Sequence, residues 1–411
     1  MKIVYFSWEF PPRIVGGLGT FTMEMARQLV MMGNEVTVFT MNEENKLMTT
    51  DNWKGVEVHR PELADFTDML SLFVDYDLRG WGPNIKFFTD VLTYNMLSAT
   101  KLVNLMVGRE ERKFDIIDAH DWLGIFGASA VKKELGIPLI FHLHSTEKGR
   151  SRGKGSRTVE DFEYKGGEIA DCIITVSKAM EDELVKLGFP QEKIRVCWNG
   201  VDAEKYDPRN VSSSERDAIR ERYGIGEDNM LLFVGRLIEV KGPDNLVKAM
   251  PSILEGFPNT KLVLLGVGYL EEEIRRLIKT LKLEERVILR SEFVSEEERI
   301  QHYAASNVVV FPSLYEPFGI VCTEAMSMSK PVVVGARGTS GMREQVVAKG
   351  PDQCGVHINP YDPDDIAWGV KEVLRSDMRK MGENARKRVL ENFTWEISAK
   401  KTFDIYKEFV E

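Results

Sequence analysis

Short runs of β-branched and aliphatic residues alternate with amphipathic stretches from one end of this chain to the other. The apolar runs have no polar face, as expected of strands buried on both sides, and several of the stretches between them carry apolar positions at helical spacing. That alternation predicts βα units feeding parallel sheets. In a first series, strands are expected at Lys2–Phe6, Glu35–Thr40, Val56–His59, Asp115–Asp118, Pro138–His144, Cys172–Val176 and Ile194–Cys197, with helices such as Thr20–Met32 and Leu123–Glu134 between them. Residues 200–229 then turn polar, with Pro208 and three serines from Ser212 to Ser214, and read as an interdomain crossing. A second series places strands at Met230–Val234, Lys261–Leu265, Arg286–Leu289, Val308–Pro312, Pro331–Gly335 and Gly355–Ile358, followed by helices at Asp364–Ser376, Met378–Asn392 and Trp395–Glu411. The reading is an α/β fold with two doubly wound domains at 1–202 and 203–392. A C-terminal helix at 393–411 is expected to cross back to the first domain.

Composition narrows the classes of function. A chain of 411 residues with 43% hydrophobic and 29% charged positions is globular, and it is long enough for two or three domains. The net charge of −10 argues against a nucleic-acid backbone as the main partner. No apolar run approaches the roughly 18–20 residues of a membrane helix, and Lys2 leads directly into a strand, so a cytoplasmic protein without a membrane segment is expected. The four cysteines are widely spaced without a CxxC pair, which predicts buried free thiols.

In doubly wound sheets ligands lie outside the carboxyl ends of the strands, so the residues immediately after strands carry the candidate chemistry. After the first strand comes Ser7-Trp8-Glu9, then Gly16-Gly17-Leu18-Gly19 and a helix. Glycines admit close backbone approach and helix N–H groups attract phosphate, although a flexible strand-to-helix turn has the same composition. His120 precedes Asp121 and Trp122, and His142 and His144 end a strand with their rings on one face. That spacing would suit a metal with His120 or Asp121 as third ligand, but no further Cys or carboxylate is matched in sequence to complete the set, so no metal is assigned. Asp75-Tyr76-Asp77 and Asp362-Pro363-Asp364 match D-x-D, yet neither follows a strand. The basic run Lys148, Arg150, Arg152, Lys154 and Arg157 could grip an anion or simply be a solvated loop.

In the second series, Gly235-Arg236 and Lys241-Gly242-Pro243 follow a strand. A guanidinium fork and a point charge together can hold a diphosphate; the alternative is a surface ion pair with Glu239. After the strand ending at Pro312, Pro317 suits the first helical position, placing Glu316 at the mouth of a helix with Glu324 leaning back toward it. Glu316 as a simple helix cap is the competing reading.

Together, Gly16-Gly17, His120-Asp121-Trp122, His144-Ser145-Thr146-Glu147, Thr175-Val176-Ser177, Asn199-Gly200-Val201-Asp202, Gly235-Arg236 with Lys241-Gly242, and the E-x7-E element Glu316–Glu324 resemble the retaining GT-B glycosyltransferases of the family-four type, glycogen-synthase-like branch. The resemblance covers nearly the whole chain. It implies two Rossmann-like domains facing each other across a cleft, and a nucleotide-sugar donor. It also implies that Arg236 and Lys241 hold the donor diphosphate, that Gly17 gives it a backbone N–H, and that Glu324 binds the ribose hydroxyls. Glu316, with the backbone of Phe318 and Gly319, would orient the transferred sugar, and His144 would lie beside its anomeric carbon. Asp121 joins the catalytic set; Asn199 and Glu9 fall on the acceptor side. Trp81, flanked by Gly80 and Gly82, offers an exposed aromatic platform for an acceptor. One departure is that Ile14 stands where the starch-synthase type carries a lysine, with Arg13 one residue earlier.

The implied reaction moves a hexosyl group, glucose first, from a UDP- or ADP-sugar to an α-1,4-glucan with retention, without metal or other cofactor. A small soluble acceptor such as a sugar phosphate or polyol is the alternative. A nucleotide-sugar epimerase and a non-catalytic nucleotide-sugar binding protein are readings outside this class.

Overall fold

Eight strands build the sheet of the first half of the chain: β1 Lys2–Phe6, β2 Glu35–Phe39, β3 Thr50–Trp53, β4 Val56–His59, β5 Ile116–His120, β6 Leu139–Leu143, β7 Cys172–Thr175 and β8 Ile194–Val196. Their order is β3-β4-β2-β1-β5-β6-β7-β8, and every pair is parallel except β3 with β4. The computed structural model describes residues 1–73 and 76–410. This sheet belongs to a unit formed by Met1–Trp198 with Trp395–Glu411. Strands β5, β6 and β7 are buried at every position, as strands covered on both faces must be. Helix Trp395–Val410 packs against helix Gly17–Met31, where Gln28 donates to the Glu396 carboxylate at 3.2 Å.

The second unit, Asn199–Thr394, has a six-stranded, wholly parallel sheet. Its strands are β9 Asn229–Val234, β10 Thr260–Leu265, β11 Val287–Arg290, β12 Val308–Phe311, β13 Val332–Gly335 and β14 Gly355–Ile358, in the order β11-β10-β9-β12-β13-β14. Leu231, Phe233, Leu262, Leu264, Val308 and Val310 lie in the core between this sheet and its helices. Each unit is therefore a Rossmann-like domain on a parallel or almost wholly parallel sheet, as the resemblance implies. The units divide at 198/199 and 394/395, against 202/203 and 392/393 read from the sequence.

Two expectations need correction, and one strand escaped the sequence pattern. The polar stretch 200–229 contains helix Ser213–Arg222, nucleated by a capping box in which Ser212 and Glu215 satisfy each other's backbone N–H. Strand β3 has no apolar pattern; it is a polar edge strand paired antiparallel to β4. Helix Ile320–Ser327 starts later than Pro317 suggested, because Gly319 takes a left-handed φ of +89° as its N-cap. The four cysteines are free and buried. Among the described residues no helix is long and apolar enough to cross a membrane.

In each sheet the strand order reverses beside its first strand, between β1 and β5 in one unit and between β9 and β12 in the other. The loops leaving those four strands hold most of the residues singled out above.

Candidate active site

In the first unit, parallel pairing sets His120 at the end of β5 directly beside His142 on β6. The rings of His142 and His144 stack 4.7 Å apart, and Phe21 meets each edge-on at 4.6 Å. His120 Nδ1 lies 3.2 Å from His144 Nε2. Burial drives the His120 and His144 imidazoles well below their usual pKa, and their histidine neighbours add to the shift, which favours the uncharged form of each.

Asp121 adopts a left-handed φ of +53° immediately after β5, a strained conformation for a residue with a Cβ. Its carboxylate accepts the His144 backbone N–H at 2.8 Å. Burial pushes the Asp121 carboxyl up, while the Arg150 charge and the His144 and Ser145 N–H groups oppose the shift. Asp121 therefore positions the loop that carries His144.

Glu9 turns its carboxylate to the glycine loop. Its Oε2 accepts the backbone N–H groups of Val15, Gly16 and Gly19 at 3.0, 3.1 and 3.2 Å, so the glycine turn is wrapped around a carboxylate of the chain itself. A Cβ on Gly19 would come within 2.7 Å of that oxygen, which explains why glycine stands there. Gly17 opens helix Gly17–Met31. Trp81 is half-buried rather than exposed, its ring edge-on to Phe88 at 5.7 Å. In the basic run, Arg150 is half-buried and engaged by Glu147 and Glu163, so it is a structural cation and not part of a free anion grip. Of the first D-x-D triplet, Asp75 lies outside the described residues, and Asp77 accepts from the Ser156 and Thr158 hydroxyls. Asp362 of the second caps helix Pro363–Arg375.

In the second unit, Lys241 ends a short turn after β9 and forms an ion pair with Glu316, which follows β12. It does not pair with Glu239. Gly242 is required on two counts: its φ is +65°, and a Cβ would lie 2.3 Å from the Pro312 carbonyl oxygen. Arg236 is exposed, and no ion-pair partner for it occurs among the described residues. Glu316 is held by its backbone, donating to Thr339 O at 3.0 Å and accepting from Gly341 N–H at 2.8 Å. It is thus part of a short bridge to Ser340 and not a helix cap, and its side chain turns to Lys241 and Ser313.

Glu324 lies in the second turn of helix Ile320–Ser327 and is buried. Its carboxylate accepts from Arg299 at 3.3 Å and from the Tyr303 hydroxyl at 3.0 Å. The two glutamates are thus held by different partners. Phe318 is buried with its carbonyl accepting from Gln345, and Asn199 Oδ1 is buried without a hydrogen-bond partner among the described residues.

Several members of these clusters escaped the sequence reading. Arg299 and Tyr303 sit on helix Glu296–Ala305 with no motif around them. Gly266 and Gly268 follow β10, and a Cβ on either would strike the backbone of Gly235 or Leu237, so this loop braces the Gly235–Arg236 turn. The G-x-G spacing after a strand was the available signal.

Comparison with known proteins gives a consistent family. Residues 15–205 match the model described as Glycosyltransferase Family 4, and residues 215–388 match Glycosyl transferases group 1. An uncharacterized glycosyltransferase of Methanocaldococcus jannaschii is 34% identical, over 99% of this chain and 98% of that protein. A glycogen synthase of Mycobacterium tuberculosis is 29% identical over 99% and 94%. A D-inositol 3-phosphate glycosyltransferase of Kineococcus radiotolerans is 28% identical over 96% and 91%. Among solved structures, sucrose-phosphate synthase of Thermosynechococcus elongatus superposes with a TM-score of 0.78 at 22% identity, covering 99% and 98% of the two chains.

Proposed function

The chain belongs to the family-4 type glycosyltransferases, and from that premise we propose that it transfers a glucosyl group from a nucleoside diphosphate sugar to an α-1,4-glucan with retention of configuration. The observation that carries this reading is the grouping of Arg236, Lys241 and Glu316 on the loops that leave β9 and β12, where the strand order of the donor-side sheet reverses. As the anomeric C–O bond breaks, negative charge builds on the departing diphosphate, and fixed cations meet it without reorganisation. In this reading Arg236 and Lys241 supply that charge, the Glu316 carboxylate orients the sugar, and Glu324 takes the ribose hydroxyls. In the first unit, neutral His144, set by Asp121 and His120, serves as an uncharged hydrogen-bonding group beside the sugar. The 29% identity to a glycogen synthase supports the glucan acceptor.

A second reading, a small phosphorylated acceptor, is favoured by the 28% identity to an inositol-phosphate transferase. Incubation with UDP-, ADP- and GDP-glucose, with and without maltooligosaccharide, separates them. Nucleotide release that depends on the oligosaccharide and extends it through α-linkages is expected. Release only with inositol phosphate or a sugar phosphate would replace the glucan. Donor interconversion without an acceptor would indicate an epimerase, and binding without release a sensor.

Catalysis is proposed to run without a divalent metal, because in this reading Arg236 and Lys241 supply the charge that meets the departing diphosphate. EDTA in the assay is expected to leave the rate within about twofold. Abolition by EDTA with recovery in Mg²⁺ or Mn²⁺ would refute this.

A further inference from the structure

Beneath His144, near the carboxyl ends of β5 and β6, lies a group of side chains of which the transferase reading uses only His120, through its contact with His144. Asp118, His120 and His142 are each fully buried, and one ligand atom from each lies within 4.8 Å of the other two. Asp118 and His120 alternate on β5 and so share a face, and His142 is the parallel partner of His120 on β6. His142 Nδ1 is 3.4 Å from one Asp118 oxygen, and His120 Nε2 is 4.0 Å from the other. Three polar atoms here have no hydrogen-bond partner among the described residues: Asp118 Oδ1, His120 Nε2 and His142 Nε2.

That arrangement is costly as it stands. A fully buried carboxylate needs a counter-charge, and no Lys or Arg pairs with Asp118 among the described residues. We infer that Asp118, His120 and His142 form a buried zinc site that serves structure and positioning, independent of the transferase reading above. Two imidazoles and a carboxylate supply three of the four donors that zinc takes, the fourth being a bound water, and zinc–ligand bonds of about 2.0–2.2 Å separate tetrahedral donors by roughly 3.3 Å. The His142–Asp118 separation of 3.4 Å already matches that value, while His120, 4.0 Å from the other carboxylate oxygen, and the three donors together, within 4.8 Å of one another, would have to close around the ion.

The surroundings also suit a metal. Zinc-binding imidazoles and carboxylates are normally oriented by further hydrogen bonds. Here the Tyr406 hydroxyl donates to Asp118 Oδ2, and the second nitrogen of His120 faces His144 Nε2 at 3.2 Å. A metal on His120 Nε2 would leave the proton on Nδ1, which then donates to His144 and fixes His144 with its own proton on Nδ1. The site would thereby set the tautomer of the histidine that the proposed function places beside the sugar.

The test is metal content. The full chain, expressed in zinc-supplemented medium and passed over a chelating resin, is expected to keep roughly one zinc per chain by mass spectrometry. Asp118→Asn and His142→Phe are each expected to reduce it at least tenfold while retaining native circular dichroism. Wild-type protein with only trace metal would overturn the site, leaving an internal water as bridge; full zinc in both variants would place the metal elsewhere. Should the variants not fold, X-ray absorption of the wild-type zinc decides: imidazole and oxygen scatterers support the site, while a sulfur shell or water alone overturns it. A metal this deep exchanges slowly, so an EDTA-insensitive rate and stoichiometric zinc are compatible, and either can fail without the other.

Discussion

Arg236→Ala is expected to lower kcat/KM for the nucleotide sugar by roughly 30- to 1000-fold, about 2 to 4 kcal/mol of transition-state stabilisation, without lowering the melting temperature. The two halves of that expectation have separate causes. Arg236 is exposed and has no ion-pair partner among the described residues, so truncation breaks no ion pair, and surface changes of that kind stay within about ±0.5 kcal/mol. Its position on the turn braced by Gly266 and Gly268 nevertheless presents the guanidinium from the end of β9. Lys241→Ala is expected to cost as much in rate, but there stability falls too. Removing Lys241 leaves the buried Glu316 carboxylate with only the Ser313 hydroxyl as a side-chain partner among the described residues, a loss of about 1–3 kcal/mol. Rate and melting temperature measured on both variants separate catalysis from folding. Arg236→Ala with normal kinetics would remove this arginine from the diphosphate site.

The fold was legible wherever burial on both faces left nothing but apolar residues, as in Val308–Phe311 or Ile116–Ile117, because such a run has no other stable placement. It was illegible where local hydrogen bonding outweighed burial. Helix Ser213–Arg222 buries only Ile219, so it has almost no apolar face to read, and its start depends on a capping box. Strand β3 is held at the sheet edge by backbone pairing with β4, a contact to which Thr50, Asp51 and Asn52 contribute no pattern.

The same distinction runs through the site. Loops after strands could be selected from sequence, and they hold Arg236, Lys241, Glu316, Asp121 and His144. Which of these touch depends on strand order, a long-range property. Sequence offered Glu239, two residues away, as a partner for Lys241; the sheet offers Glu316, 75 residues away, because β9 and β12 are neighbours. The Asp118–His142 contact likewise exists only through the β5–β6 pairing. Glu9 shows the converse: its role is local, yet only the folded turn reveals that three N–H groups close on one oxygen.

That long-range ion pair makes Glu316 the sharper test of the donor site. Glu316→Gln keeps the side chain's size and leaves an oxygen able to accept from Ser313, so the bridge to Ser340, which is made by the backbone, stays intact. What is removed is the charge opposite Lys241. With the helix beginning only at Ile320, the cap reading no longer supplies a reason for a large stability loss, and Lys241 is exposed enough to recover water as a partner. The expected result is a fall in kcat of more than tenfold, about 1.4 kcal/mol or greater, with the melting temperature shifted by only a few degrees. An unchanged KM for the donor would locate the loss in the transition state, where the carboxylate orients the sugar as its bond to the diphosphate lengthens. If instead kcat holds near its normal value while the melting temperature drops, Glu316 acts only as the structural counter-ion of Lys241, and the group that orients the sugar must be sought among the backbone N–H groups of Phe318 and Gly319.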